Sequence, residues 1–245
     1  MRLPSFSARV GSGQARVRQG SLNRMSPRNF ERPATISLPE DPTLAPGSAL
    51  EGLWLPARGD EPARGGAVVA APHPLMGGNM ESPVATELGL ATSDQGYVSL
   101  RFNWRGVGGS AGLPSGETTH ADIDYCAALD FMEDSVDGAI VACGYSWGGV
   151  TAARVATTRA RVKRLVMVSP PAAMLDGDAL KSFGHPILII TGDRDEYVPL
   201  APLKGMISGL EGVELEVLEG VDHFFMAGLA DIGRITRDFL DTAST

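Results

Sequence analysis

The stretch Gly144-Tyr145-Ser146-Trp147-Gly148 matches the pattern Gly-x-Ser-x-Gly and lies between an apolar run and a helix-forming segment. The apolar run, residues 139–143, predicts a buried strand, and residues 150–158 predict a helix. A serine on a tight strand-to-helix turn projects its hydroxyl clear of the sheet, and the small flanking glycines let neighbouring backbone come close. The first N–H groups of the following helix point at the same place because they have no intrahelical acceptor. This context predicts that Ser146 is a nucleophile.

A second match to the pattern, Gly108-Gly109-Ser110-Ala111-Gly112, lies in a different context. It leads into Leu113-Pro114-Ser115-Gly116, a loop rich in residues that break regular structure, and no helix follows. We therefore interpret Ser110 as a turn residue.

Composition places the chain among ordinary globular proteins. It has 245 residues, of which 43% are hydrophobic and 20% are charged. No stretch approaches 18 consecutive apolar residues, so no membrane span is expected. Cys126 and Cys143 fall within a helical and a strand pattern, which favours two small core residues in a reducing, cytoplasmic compartment. Since Cys and His are not clustered, a zinc site is not expected. No cofactor is predicted.

The charge is unevenly distributed. Residues 1–24 contain five arginines and no acid, which leaves the remainder with 16 basic and 29 acidic side chains, a net charge of −13. An acidic body argues against nucleic-acid binding, because phosphate contacts need concentrated positive charge. Residues 1–30 are interpreted as a disordered basic tail or a translated stretch upstream of a start at Met25, with an organelle transit peptide as the third alternative.

Short apolar runs alternate with helix-forming segments beyond residue 30. Runs without polar alternation are typical of parallel strands buried on both faces, and right-handed crossovers place helices on both faces of such a sheet. The sequence predicts a single α/β domain of about eight strands. The first two predicted strands form an antiparallel pair, and the last lies near the sheet edge. The predicted strands are residues 34–38, 49–55, 66–71, 97–102, 139–143, 164–168, 186–190 and 213–218; the predicted helices are residues 82–92, 118–132, 150–158, 200–210 and 224–240.

A serine hydroxyl needs a base, usually a histidine oriented by a carboxylate. Of the four histidines, His223 follows the last predicted strand, and reactive groups collect at the carboxyl ends of parallel strands. His185 precedes a strand and so belongs to the opposite end of the sheet, and His120 is expected to be solvated. His73 is expected to brace its own loop by a hydrogen bond.

The acid is expected in the segment from Thr191 to Pro199, directly after the strand at residues 186–190. Asp195 lies deep enough in this loop to reach a histidine on the next loop, so it is preferred, with Asp193 as the alternative. The order Ser146, Asp195, His223 is the order found in α/β-hydrolases.

A tetrahedral intermediate needs two backbone N–H donors for its oxyanion. Trp147, directly after the nucleophile, is expected to supply one. The loop after the third strand is expected to supply the other. Pro74 has no N–H, so Leu75 is the predicted donor.

On these motifs the chain resembles the α/β-hydrolase superfamily across residues 34–242, and more narrowly the small bacterial hydrolases of the dienelactone-hydrolase and serine-aminopeptidase-like type. The resemblance implies one α/β-hydrolase domain over residues 31–245. Many members of the superfamily insert a lid after the sixth strand, but here only residues 171–185 separate that strand from the next, so no cap domain is expected. The motifs that carry the resemblance are His73-Pro74-Leu75-Met76-Gly77-Gly78, residues 100–110, Gly144–Gly149, residues 192–199 and Asp222-His223-Phe224-Phe225.

The resemblance implies hydrolysis of a small-molecule ester, thioester or amide through an acyl-enzyme, because this chain has serine where dienelactone hydrolases have cysteine. A peptidase or an acyltransferase would use the same three residues, and a catalytically silent binding protein would share the fold. The open site favours small acyl groups. Five side chains are predicted to line the acyl pocket: Met76, Trp104, Trp147, Met174 and Tyr197.

Overall fold

A computed structural model of the chain describes residues 30–241, which are built around one eight-stranded sheet. The order across the sheet is β1-β2-β4-β3-β5-β6-β7-β8, in which β2 pairs antiparallel with β1 and with β4 while all other neighbours are parallel. The predicted sheet, its antiparallel first pair and its edge position for the last strand are confirmed. The strands are β1 Arg32–Ser37, β2 Ala49–Leu55, β3 Gly65–Ala70, β4 Tyr97–Phe102, β5 Ala139–Tyr145, β6 Val162–Val168, β7 Ile187–Gly192 and β8 Val213–Leu218.

Helices cover both faces of the sheet, as predicted. Successive residues of a buried strand point to opposite faces, so on β3 Val68 and Ala70 enter one core while Ala67 and Val69 enter the other. Helices α2 to α5 pack in the first core, and α1 and α6 pack in the second. The helices are α1 Pro83–Asp94, α2 Thr118–Ser135, α3 Trp147–Ala156, α4 Gly177–Phe183, α5 Leu200–Ile207 and α6 Leu229–Asp241.

Two helix predictions need correction. The short helix α4 was not predicted, because seven residues are too few for a clear periodic pattern. Helix α6 begins at Leu229 rather than at residue 224. Phe225 (φ 51°) and Gly228 (φ 89°) lie in the left-handed region, so the preceding segment cannot be α-helical.

The parallel strands bring the loops after β3, β5, β6, β7 and β8 to one edge of the sheet. Between β6 and β7 there are only a 3-10 helix at Ala172–Met174 and α4, so no cap domain within residues 30–241 covers this edge. The interpretation of residues 1–30 lies outside the described residues except for Phe30.

Two smaller predictions concern membranes and cysteines. Within residues 30–241, no helix is both long and apolar enough to cross a membrane. Cys143 is buried in the core and Cys126 is half-buried against it, and both are free thiols.

Candidate active site

Ser146 lies between the last residue of β5 and the first residue of α3, and its backbone is strained (φ 53°, ψ −116°). Three backbone hydrogen bonds hold it there. Its N–H donates to the Val168 carbonyl at 2.8 Å, and its own carbonyl accepts from the N–H groups of Gly149 and Val150 at 3.0 and 3.2 Å. The predicted strand-to-helix turn is therefore present at this serine.

The two glycines of the motif are required by close backbone contacts. A Cβ at Gly144 would lie 2.2 Å from the carbonyl group of Gly148, and a Cβ at Gly148 would lie 2.5 Å from the carbonyl oxygen of Ala71. Real Cβ atoms do not come so close to backbone atoms. Any side chain at either position would therefore force β5, α3 or the end of β3 to move apart.

His223 lies on the loop after β8, with its imidazole against the serine. The His223 Nε2 and Ser146 Oγ atoms are 3.2 Å apart. The Tyr145 hydroxyl donates to the main-chain carbonyl of His223 at 2.6 Å. The residue before the serine thus fixes the backbone that carries the imidazole.

Asp195 lies on the loop after β7 and completes a chain of hydrogen bonds. Its Oδ2 is 2.8 Å from the Nδ1 of His223, and its Oδ1 accepts from the N–H groups of Tyr197 and Val198, both at 2.9 Å. Burial acts to raise the pKa of this carboxyl, but hydrogen bonds from His223, Ser169 and Val198 outweigh burial and leave the pKa below its ordinary value. The carboxylate is therefore ionised at neutral pH.

The loop after β3 folds over the strand-to-helix turn at Ser146 in a way that the sequence did not reveal. The Leu75 N–H donates to the Nδ1 of His73 at 3.2 Å, and the exposed Leu75 does not line the cleft at Ser146. The prediction that Leu75 supplies an oxyanion donor is therefore wrong, because its N–H caps a 3-10 turn. The His73 ring braces the loop, as predicted. His73 also lines the cleft, and its backbone N–H has no hydrogen-bond acceptor within residues 30–241.

Comparison with known proteins agrees with this fold. The family model described as alpha/beta hydrolase fold matches residues 75–183. An alpha-beta serine hydrolase homologue from Coxiella burnetii is 29% identical, with a TM-score of 0.73 over 84% of this chain and 96% of that one. A serine hydrolase without a lid from Xanthomonas campestris is 25% identical, with a TM-score of 0.73 over 87% and 97% of the two chains. An uncharacterized protein from Rickettsia prowazekii is 29% identical over an alignment of 208 residues, and the match covers 80% of this chain and 86% of the relative.

The chain has the α/β-hydrolase fold. Like the Xanthomonas campestris protein, it is of the small type without a lid. In this α/β-hydrolase, the cleft at Ser146 has a volume of about 420 Å³ and opens at the carboxyl edge of the sheet. Met76, Trp147, Met174 and Tyr197 line it, and their role as an acyl pocket stays a prediction.

Trp104 was also predicted to line the pocket of this α/β-hydrolase, and that prediction is wrong. The side chain is 1% exposed and lies in the core, where its ring packs edge-on against Phe102. Its indole N–H donates to the carbonyls of Ala71 and Pro72, both at 3.1 Å. Trp104 therefore holds the backbone that follows β3 from within the core and cannot touch a ligand in the cleft.

Ser110, the second motif serine, has a structural place. Its hydroxyl donates to the Asn103 carbonyl at 2.8 Å and accepts from the Glu51 N–H at 2.9 Å. Both hydrogen-bond partners of this hydroxyl are backbone groups, and the residue is 8% exposed. Ser110 is thus a turn residue, as interpreted from the sequence.

The remaining alternatives lie away from the nucleophile. Asp193 accepts from the Gly220 N–H at 2.6 Å and so closes a turn between loops. His185 lies 3.3 Å from the Lys163 ammonium at the amino ends of β6 and β7, and His120 contacts the Ser115 hydroxyl. Within the described residues, no cluster of three or more His, Cys, Asp and Glu side chains could hold a metal ion.

Sequence reasoning missed three contributors to this α/β-hydrolase site. Tyr145 occupies the variable position of the motif, so the pattern assigns it no role. The unpaired backbone N–H of His73 precedes Pro74, and the prediction of a donor began with the first N–H after that proline. Phe224 was assigned to helix α6, although it is 59% exposed and lines the cleft. For Phe224, the direct adjacency to His223 was an available signal.

Proposed function

We propose that this protein is a serine hydrolase that cleaves the carboxylic ester, thioester or amide of a small acyl substrate through an acyl-enzyme. The observation that supports this most strongly is the continuous line of hydrogen-bonding atoms from Ser146 through His223 to Asp195, with the serine and histidine open to one cleft. Side chains in hydrogen-bond reach of one another in this order form an activated nucleophile with its base and orienting acid.

In the first step, His223 Nε2 accepts the proton of the Ser146 hydroxyl while Oγ bonds to the substrate carbonyl carbon. The Asp195 carboxylate holds Nδ1–H, which fixes the imidazole tautomer and stabilises the imidazolium that forms. The imidazolium then gives its proton to the leaving alcohol, and the ester bond breaks. Water attacks the acyl-enzyme in the same way, with His223 as base, and the carboxylic acid departs.

The oxyanion of the tetrahedral intermediate needs two donors near Ser146. Trp147 is the first residue of α3, so its N–H has no intrahelical acceptor. We assign the second donor to the backbone N–H of His73, which replaces Leu75 in this role. Removing one such donor typically costs about 10²–10³ in kcat, so the pair is worth several kcal/mol in the transition state.

Labelling by a fluorophosphonate probe tests the nucleophile. Wild-type protein and Ser110→Ala are expected to label, and Ser146→Ala is expected not to, while circular dichroism shows all three folded. Folded wild-type protein that does not label would refute the proposal. Labelling that survives in Ser146→Ala and disappears in Ser110→Ala would transfer the role to the other serine.

The length of the acyl chain that the protein prefers gives a second test of the site. With only Ala172–Met174 and α4 between β6 and β7, a long acyl chain would leave part of its length in water. We expect kcat/KM on p-nitrophenyl esters to be highest for short acyl chains. A clear optimum at long chains would contradict an uncovered site. The cytoplasmic location and the lack of nucleic-acid, membrane and cofactor binding remain predictions from the sequence.

A further inference from the structure

No charged side chain of residues 30–241 lines the cleft. Its sixteen lining residues, all within the described chain, include no Asp, Glu, Lys or Arg. The titratable residues among them are His73, His223, Tyr145 and Tyr197. Burial lowers the pKa of His73 and raises the pKa of Tyr145, so both of these side chains are neutral at pH 7. A charged substrate group would therefore find no partner of opposite charge on the walls.

The mouth of the cleft is instead lined by exposed apolar side chains. Met76 is 74% exposed, Phe224 59%, Tyr197 54% and Met174 40%. They come from the loops after β3, β8, β7 and β6, so they surround Ser146 rather than lie on one side of it. An apolar group bound here would remove its own surface and theirs from water, at about 25 cal/mol per Å².

Aromatic rings lie against the imidazole of His223, the proposed base. The Tyr197 and His223 ring centroids are 4.9 Å apart, and the Tyr197 and Phe224 centroids are 6.0 Å apart with the rings nearly perpendicular. On the other side of the serine, the rings of His73 and Trp147 are 4.6 Å apart. A group next to the scissile carbonyl therefore lies among rings and methionine side chains.

The polar groups that do reach the cleft serve the carbonyl itself. The Ser146 hydroxyl and the His223 imidazole contact each other at the reacting centre, and the Ser82 hydroxyl already caps α1 by accepting from the Ala85 N–H at 3.3 Å. Transfer of an unpaired charge from water into such surroundings is costly. Three acids adjoin lining residues in the sequence, and all three are exposed and are not among the lining residues: Glu81, Glu196 and Asp222.

We infer that the substrate is an ester whose acyl group is uncharged and apolar next to the carbonyl, and that α-amino acyl compounds are rejected. This inference rests on the proposed function. It separates the esterase from an aminopeptidase that uses the same three residues, because recognition of a free α-ammonium group needs a carboxylate that this cleft does not supply.

A matched pair of esters tests the inference. The p-nitrophenyl esters of 4-methylpentanoic acid and of leucine share one carbon skeleton and differ by the α-amino group, which is about 99% protonated at pH 5.5, where both esters are compared. Each kcat/KM is normalised to the rate in buffer, because the ammonium group activates the ester. We expect the neutral ester to be preferred by at least about 100-fold, the effect of an unpaired charge on binding. The net charge of −8 would attract the leucine ester, so its rejection must arise in the cleft.

A pair of variants tests the cause. Met174→Glu places a carboxylate on the lining and is expected to reduce the preference about tenfold or more. Met226→Glu is the control, since Met226 is 87% exposed, is not part of the lining and makes the same change in net charge. Thermal unfolding checks that both variants fold.

Three results would overturn the inference. The first is a wild-type preference below about threefold. The second is a preference that Met174→Glu leaves unchanged, which would make the rejection steric. The third is an equal change in Met226→Glu, which would make it a long-range effect. Hydrolysis of neither ester above the level of Ser146→Ala would instead refute the proposed function itself, so the two failures are distinguishable.

Discussion

The hydroxyl of Tyr145 offers the sharpest test of how the base is positioned. It donates to the main-chain carbonyl of His223 at 2.6 Å, and the residue is 6% exposed. Tyr145→Phe removes this donor and leaves the ring, which also packs against His223 and Phe225. The substitution therefore releases the backbone of the base without opening a cavity.

The size of the effect follows from the cost of a buried carbonyl that loses its donor, about 1–3 kcal/mol. If the loss fell entirely on the transition state, kcat/KM would decrease by about 5- to 150-fold, since each 1.36 kcal/mol is a factor of ten. Part of the loss falls on the folded ground state, so we expect a decrease of about 10-fold. The melting temperature should fall by several degrees, since 1 kcal/mol corresponds to roughly 2–4 °C in a protein of this size.

The measurement is kcat/KM on a short p-nitrophenyl ester at a temperature where both proteins are fully folded, together with thermal unfolding. Tyr197→Phe is the matched control. Tyr197 is 54% exposed, and its hydroxyl makes no hydrogen bond within residues 30–241, so that variant should stay within about twofold of wild type. If Tyr145→Phe also stays within twofold while its melting temperature falls, the hydroxyl supports the fold and does not position His223.

Three further predictions concern stability and pH. Gly148→Ala should destabilise the protein by about 1–3 kcal/mol or more, because its Cβ would meet the Ala71 carbonyl oxygen at 2.5 Å, whereas Gly205→Ala, with nothing within 4 Å, should be neutral or slightly stabilising in urea unfolding. Ser110→Ala should cost about 1–3 kcal/mol of unfolding free energy through two lost backbone partners and keep its kcat/KM; a large loss of activity in folded protein would contradict its structural role. Because the folded-state pKa of Asp195 is lowered, its stabilising effect is complete above the unfolded pKa near 3.9 and disappears as pH falls through the folded value. The unfolding free energy of wild type should then decrease more steeply below pH 4 than that of Asp195→Asn, and parallel curves would show that the carboxylate contributes nothing.

Much of this architecture could be predicted because strand periodicity and chain order carry it. Uninterrupted apolar runs identified the parallel strands, and the rule that reactive groups gather at carboxyl ends selected His223 over His185. The geometry brings Ser146, Asp195 and His223 together in the predicted order. These features depend on which residues end a strand, and the sequence contains that information.

The predictions that failed depend on directions rather than positions. Leu75 was chosen by counting N–H groups after Pro74, but a 3-10 turn directs that N–H to the His73 ring. Trp104 lies two residues after the end of β4, and nothing in the sequence says whether its indole points into the cleft or under β3. Side-chain and N–H directions in loops follow from local backbone torsion and tertiary contacts, which periodicity does not encode.

Backbone strain marks the same edge of the sheet without reference to any motif. Within residues 30–241, the residues other than glycine with positive φ are Ser146, Ser169 and Phe225. Ser146 follows β5, Ser169 follows β6, and Phe225 lies two residues after His223. Each such torsion costs of order 1–3 kcal/mol and persists only where surrounding contacts impose it. Ser110 is not among them, so torsion alone separates the two motif serines and assigns the strained one to the edge where the base and the acid also lie.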